Sequence, residues 1–114
     1  MPIEQGDIVW VRCADPRGTN VKRRPAVVVT ANGDMRAGAN IIGVAITSTL
    51  PSPLTDDYVQ LPWHRQGLAC TRLTRPCAAC CHWLLEIDLD QIVEKSGRVP
   101  GSVLKAIIER LGET

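Results

Sequence analysis

The chain has 114 residues, a mass of 12.4 kDa and 45% hydrophobic residues, enough to bury a core without disulfides or metal, which excludes a disordered chain and points to a single domain over residues 1–114. Thirteen Lys and Arg against twelve Asp and Glu leave a formal charge of +1, which excludes a polyanion-coating protein and confines any nucleic-acid site to a local patch. With no run near the roughly 18 apolar residues of a membrane span and no secretory layout over Met1 to Asp7, the expectation is a cytoplasmic protein without membrane contact, whose five cysteines stay reduced.

Nine Gly and eight Pro punctuate short β-branched runs, the pattern of a mainly β chain. Ile8 to Cys13 is the first predicted strand, and Asp15-Pro16-Arg17-Gly18 the turn after it. The basic run Lys22-Arg23-Arg24 leads into a strand over Pro25 to Thr30, which Pro25 can open but not occupy internally. Asn32-Gly33-Asp34 starts a loop. Ile41 to Thr47 reads as a strand buried on both faces, with Gly43 marking a bulge or a close backbone approach.

Ser48 to Asp57 is a loop, Tyr58 to Leu61 a short strand and Pro62 to Gly67 a turn. Two more strands are predicted at Leu68 to Leu73 and Ala79 to Ile87, the latter with Trp83, Leu84 and Leu85 in the core, and Arg75-Pro76 bends the chain between them. Asp88 caps a short helix carrying Leu89, Ile92 and Val93 that stops at Gly97. A second helix runs from about Pro100 or Ser102 to Leu111, with Val103, Leu104, Ile107, Ile108 and Leu111 on one stripe and Gly112 as the stop. Strands first and a helix last predict a mainly β fold with a C-terminal helix, either a small twisted antiparallel sheet or a partly open barrel.

Gly6-Asp7-Ile8-Val9-Trp10-Val11, Arg23-Arg24-Pro25 and its apolar strand, Val44 to Ser48, Gly67-Leu68, and Ile92 to Val99 followed by an amphipathic helix together resemble the PemK/MazF family of toxin endoribonucleases from bacterial type II toxin–antitoxin modules. The resemblance covers nearly the whole chain. It implies an SH3-like, partly open barrel, a form shared with gyrase-inhibiting toxins of the CcdB type. It further implies a homodimer that cleaves single-stranded RNA without metal or cofactor, through attack of the ribose 2′-hydroxyl on the adjacent phosphorus, and that a cognate antitoxin silences.

The resemblance makes Arg24 and Thr47 the catalytic residues and Arg17, Lys22, Arg23 and Ser48 the RNA-binding ones. For Arg24 chemistry adds a reason: a guanidinium where a loop enters a strand grips two phosphate oxygens and stabilises charge that grows on a transferring phosphoryl group. Ser48, one residue beyond Thr47, points to the other face of a regular strand. Some relatives carry a glutamate a few residues before the Arg-Pro pair, and here Asn20 stands nearest that place. Asn cannot act as a base, which leaves Asp15 and His64 as the candidates for that role.

Three further readings stay open. A relative without catalysis would keep the fold as an antitoxin binder or a gyrase inhibitor. Cys77-Ala78-Ala79-Cys80-Cys81-His82, with Cys70 and His64 upstream, raises a small zinc module, against which stand the single CxxC and the opposite faces of Cys80 and Cys81 on a strand. The cysteines are therefore read as reduced, small hydrophobes, and no metal is expected. Trp10 and Trp63 read as core or rim residues, with Trp63, in a turn beside His64, the one placed to stack a base or line the antitoxin's groove. Without Phe and with three Trp and one Tyr, a wider stacking platform is scarcely available.

Overall fold

The computed structural model describes residues 3–15, 17–35 and 40–112. Six strands form one antiparallel open sheet: β1 (Asp7–Cys13), β2 (Lys22–Val28), β3 (Ile41–Thr47), β4 (Tyr58–Leu61), β5 (Cys77–Ile87) and β6 (Ile92–Arg98), in the spatial order β4-β5-β3-β2-β1-β6. The helix α1 (Gly101–Leu111) follows. Single 3-10 turns sit at Asn32–Asp34 and Leu89–Gln91.

Alternation along the strands splits the core between the two faces of the sheet. Ile8, Val27, Val44, Ile46 and Ala79 face one way and bury Ile107 of α1, joined by Val103, Leu104 and Leu111 of the same helix. Val9, Val11, Ala26, Val28, Ile41 and Ile87 form a second cluster. Ile108, placed on the helix's apolar stripe by its spacing, is instead 40% exposed, because the packed stripe is narrower than the apolar one. Ile42 and Leu84 are likewise exposed, so β3 and the Trp83-Leu84-Leu85 run of β5 are less thoroughly buried than their composition predicts.

β5 changes phase partway along. Val44 pairs with Leu84 and Ile46 with Ala79, so residues 80–83 oppose the single residue Ala45. Extra residues in one strand re-aim the side chains beyond them. Ala79 thus packs on the helix side while Leu85, an even number of residues on, joins the other cluster. Gly43 serves a close approach, since a Cβ there would lie 2.8 Å from Ile87 Cδ1 and 3.1 Å from Ala26 Cβ.

Three predicted elements differ. Pro25 lies inside β2, not at its start, because β3 pairs only with Ala26 to Val28 and leaves the first half of β2 bonded on one side; a missing N–H is tolerated where no partner strand needs it. Leu68 to Leu73 is not a strand. Its polar groups are satisfied locally: Thr71 Oγ1 donates to the Pro62 carbonyl (2.6 Å) and accepts the Leu73 N–H (3.2 Å), while Arg72 adopts φ 59°. The capping box of Asp88 and Gln91 forms, yet the turn ends at once and residues 92–98 become β6. An isolated helical turn gains little, whereas pairing with β1, from Asp7↔Arg98 to Val11↔Ile92, satisfies that strand's free edge. Gly97, read as a helix stop, is needed inside β6: a Cβ there would lie 2.2 Å from the Cys70 carbonyl oxygen.

Candidate functional site

Where β2 extends past β3, the sheet opens into a cleft of about 310 Å3. The β2–β3 ladder ends at the pair Ala26↔Ala45, and Arg24 and Thr47, each two residues beyond that last pair, both line this cleft. Lys22, Pro25, Ile46, Ser48 and Thr49 complete the wall from β2 and β3, with Trp10 of β1 beside them. The rest of the lining comes from Arg72, Leu73, Thr74 and Arg75 of the loop before β5 and from Cys77 and Trp83 of β5. The charged members of this lining, Lys22, Arg24, Arg72 and Arg75, are all cations.

Arg24 is held at three points. Its Nε donates to the Cys13 carbonyl (3.3 Å), its Nη2 donates to the Asn20 carbonyl (2.8 Å), and its guanidinium carbon lies 5.3 Å from the centre of the Trp83 ring. Asn20 reaches that position through a left-handed backbone, φ 55°, a conformation that Asn tolerates better than most side chains. A guanidinium so anchored keeps donors free for an anion at little entropic cost. Thr47 Oγ1 accepts the Thr49 N–H (3.0 Å) and donates to the Thr49 carbonyl (3.5 Å), which fixes its hydroxyl at the mouth of the cleft.

Of the other residues singled out from sequence, Lys22 and Ser48 line the cleft, and Arg17, Arg23, Asp15 and His64 do not. Arg23 stacks over Trp10 (5.4 Å) and pairs with Glu94 (3.5 Å) on β6. Asp15 organises the first loop: its carboxylate accepts the Arg17 and Thr19 N–H groups, each at 3.0 Å, and the Thr19 hydroxyl. Those bonds, the Thr19 N–H foremost, hold Asp15 below the usual carboxylate range, which makes it a weaker base. Pro16, in the same turn, lies outside the described residues. His64 accepts the Gln66 N–H (3.1 Å) in an exposed turn, and Trp63 beside it is 46% exposed.

Cys80, His82, Asp57 and Tyr58 form a separate polar cluster outside the cleft lining. His82 Nδ1 meets Asp57, its Nε2 lies 3.1 Å from Cys80 Sγ, and Tyr58 packs edge-on against its ring. Burial pushes the Cys80 thiol up, so it stays protonated and unreactive. Cys77 and Cys81 face the helix-side core and Cys80 this cluster, as strand alternation requires. His82 lies between Asp57 and Cys80, one ring nitrogen toward each, and among the described residues no group of three or more His, Cys, Asp or Glu is arranged so that it could hold a metal ion.

Sequence reasoning missed Trp83, Arg72, Thr74 and Arg75 as cleft residues. The run Thr71-Arg72-Leu73-Thr74-Arg75 carries a signal, since its buried Thr71 and Leu73 alternate with polar side chains that must face outward. Reading that run as a strand hid its contribution.

The family model for the PemK-like, MazF-like toxin of type II toxin–antitoxin systems matches residues 4–114. No curated protein matches the chain in sequence. Among solved structures, MazF of Deinococcus radiodurans is similar with a TM-score of 0.75 at 20% identity, covering 98% of this chain and 94% of that one. A MazE-MazF complex from the same organism gives 0.72 at 20% identity over 96% and 92% of the two chains. An endoribonuclease in complex with its cognate antitoxin from a mycobacterial species gives 0.70 at 16% identity over 97% and 92%. At these identities the likeness is one of fold.

Proposed function

Because the chain belongs to the PemK-like, MazF-like toxin family of type II toxin–antitoxin systems, we propose that its cleft is the active site of a sequence-selective endoribonuclease acting on single-stranded RNA, mRNA included. The observation that carries this reading is a cleft whose charged lining residues are all cations and which brings Arg24 of β2 and Thr47 of β3 into one lining. In the reaction the 2′-oxygen forms a bond to the adjacent phosphorus and the bond to the 5′-oxygen breaks. The 2′-hydroxyl proton goes to water and the departing 5′-oxygen takes one up, leaving a cyclic phosphate and a free 5′-hydroxyl.

Arg24 holds the non-bridging oxygens, and its attraction strengthens as charge accumulates on them, so it favours the transition state over the bound substrate. Thr47 adds a hydroxyl contact to the same phosphate. A metal-independent route is what the family resemblance implies; the described lining residues include no carboxylate or imidazole, and burial pushes the Cys77 thiol up. Asp15 and His64 stand outside the lining, so in this reading neither candidate assists as a general base from its place in the single chain. Such assistance is worth roughly a hundred- to ten-thousand-fold, and its lack makes cleavage slow. The protein acts as a cytoplasmic homodimer that a cognate antitoxin silences, as the family resemblance implies.

Incubation with mixed RNA in EDTA tests this directly. Wild type gives fragments ending in cyclic phosphate and starting with 5′-hydroxyl, and Arg24→Ala loses cleavage by roughly a hundred- to a thousandfold, the scale of removing one oxyanion donor, while its thermal unfolding stays near that of wild type. Full activity in Arg24→Ala refutes the site. A wild type that binds antitoxin but cuts no RNA refutes the activity.

A further inference from the structure

We propose that Arg72 and Arg75 form a second phosphate subsite of the cleft, which binds a phosphodiester flanking the one held at Arg24. The inference rests on the endoribonuclease reading and deepens it: the substrate is a strand gripped at two or more phosphates, not a single nucleotide linkage.

The two guanidiniums differ from the other arginines of this region in what surrounds them. Arg23 is matched by Glu94, and Arg24 is spent partly on two backbone carbonyls and Trp83. Among the described residues neither Arg72 nor Arg75 has a carboxylate within ion-pair distance, although both are exposed and both line the cleft. A guanidinium presents a planar fork of donors suited to phosphate oxygens. Two of them, brought by the loop before β5 into the lining that holds Lys22 and Arg24 of β2, add donors from a second segment of the chain to the same cationic cleft.

The loop that carries them is anchored from several sides. Thr71 is 1% exposed, bonded to Pro62 and Leu73; the His64 N–H donates to the Leu73 carbonyl (2.9 Å), and the Arg98 N–H of β6 donates to the Cys70 carbonyl (3.0 Å). Leu73 plugs into the helix-side core, and Gly97 lets the β6 backbone press against Cys70 and Thr71. Between these buried anchors Arg72 holds φ 59°. A left-handed backbone is strained for a residue other than Gly, and strain of this kind is concentrated where side chains meet ligands. Here it turns Arg72 outward into the cleft while its two neighbours stay buried. Both side chains thus start from a rigid base, which lowers the entropy lost on binding.

The test is the salt dependence of binding to a short single-stranded RNA, 2′-O-methylated throughout so that it cannot be cut, with cleavage of unmodified RNA followed in parallel. Each phosphate contact on a single strand contributes about 0.7 to the slope of log K against log salt. Arg72→Gln/Arg75→Gln is expected to flatten the slope by about 1.4 and weaken binding, and Arg72→Lys/Arg75→Lys to restore most of the slope. Thermal melting checks folding, and if the double variant unfolds, Arg75→Gln, at a position without backbone strain, carries the test with a loss of about 0.7.

Wild type that cuts RNA with the slope unchanged in the Gln variants overturns the subsite and leaves the endoribonuclease reading standing. Unchanged RNA slope with weakened antitoxin binding assigns the two arginines to a protein contact and overturns it as well. Wild type that neither cuts nor binds RNA overturns both.

Discussion

The Arg24 guanidinium lies over the Trp83 ring, 5.3 Å from its centre, joining a residue of β2 to one of β5 across the end of β3. Because β5 has changed phase at residues 80–83, Trp83 reaches a cleft that regular alternation from Ala79 would not predict for it. In the proposed reaction Trp83 would be a positioning residue, acting through Arg24.

Trp83→Leu is expected to cut the cleavage rate about two- to fivefold, the equivalent of a partly exposed cation–π contact of about 0.5–1 kcal/mol. Trp83→Phe, which keeps a ring under the guanidinium, is expected to recover most of it. A purely structural role would move the melting temperature in parallel with the rate and leave no difference between Phe and Leu once stability is matched.

Thr47→Ala is expected to lower cleavage more than Ser48→Ala, and Thr47→Ser to rescue it, because Thr47 shares the cleft lining with Arg24 and has its hydroxyl fixed by Thr49. Both residues line the cleft, so the comparison of single-turnover rates is informative. Equal losses would remove Thr47 from the catalytic pair.

Asp15 makes stability pH-dependent, with a definite sign. Its bonds to the first loop lower its carboxyl pKa in the folded state, so the stabilisation is fully present above the unfolded value, about 3.9, and is lost as pH falls through the lower folded value. Asp15→Ala is expected to melt below wild type by a constant margin at neutral pH, and the two melting curves are expected to converge in strong acid. A margin that persists there would show that the carboxylate charge plays no part.

Gly97→Ala is expected to destabilise far more than Gly43→Ala. A Cβ on Gly97 meets backbone atoms of Cys70 and Thr71 at 2.2 to 2.5 Å, whereas one on Gly43 meets first the end of the Ile87 side chain. Overpacking typically costs about 1–3 kcal/mol where side chains can shift, and the Gly97 site has backbone instead. Urea unfolding of the two variants makes the comparison, and for Gly97→Ala the same clash is expected to displace the Arg72 loop and lower RNA affinity.

Local chemistry determined much of this protein in advance. The β1, β3, β4 and α1 segments follow from runs of branched residues, from Gly and Pro breaks and from a helical apolar stripe, all of which act over a few residues. Arg24 and Thr47 were singled out through the order of motifs around them, and both line the cleft. Tertiary structure alone decided three things. Residues 92–98 became a strand because β1 had a free edge to pair, and a partner distant in sequence leaves no local mark. Trp83 entered the cleft because residues 80–83 bulge against Ala45, a mismatch between two strands that neither encodes by itself. Arg72 and Arg75 joined the cleft lining because buried anchors at Thr71 and Leu73 fold their segment as a loop, and the competition between those long-range contacts and a regular ladder is settled only when the whole sheet is in place.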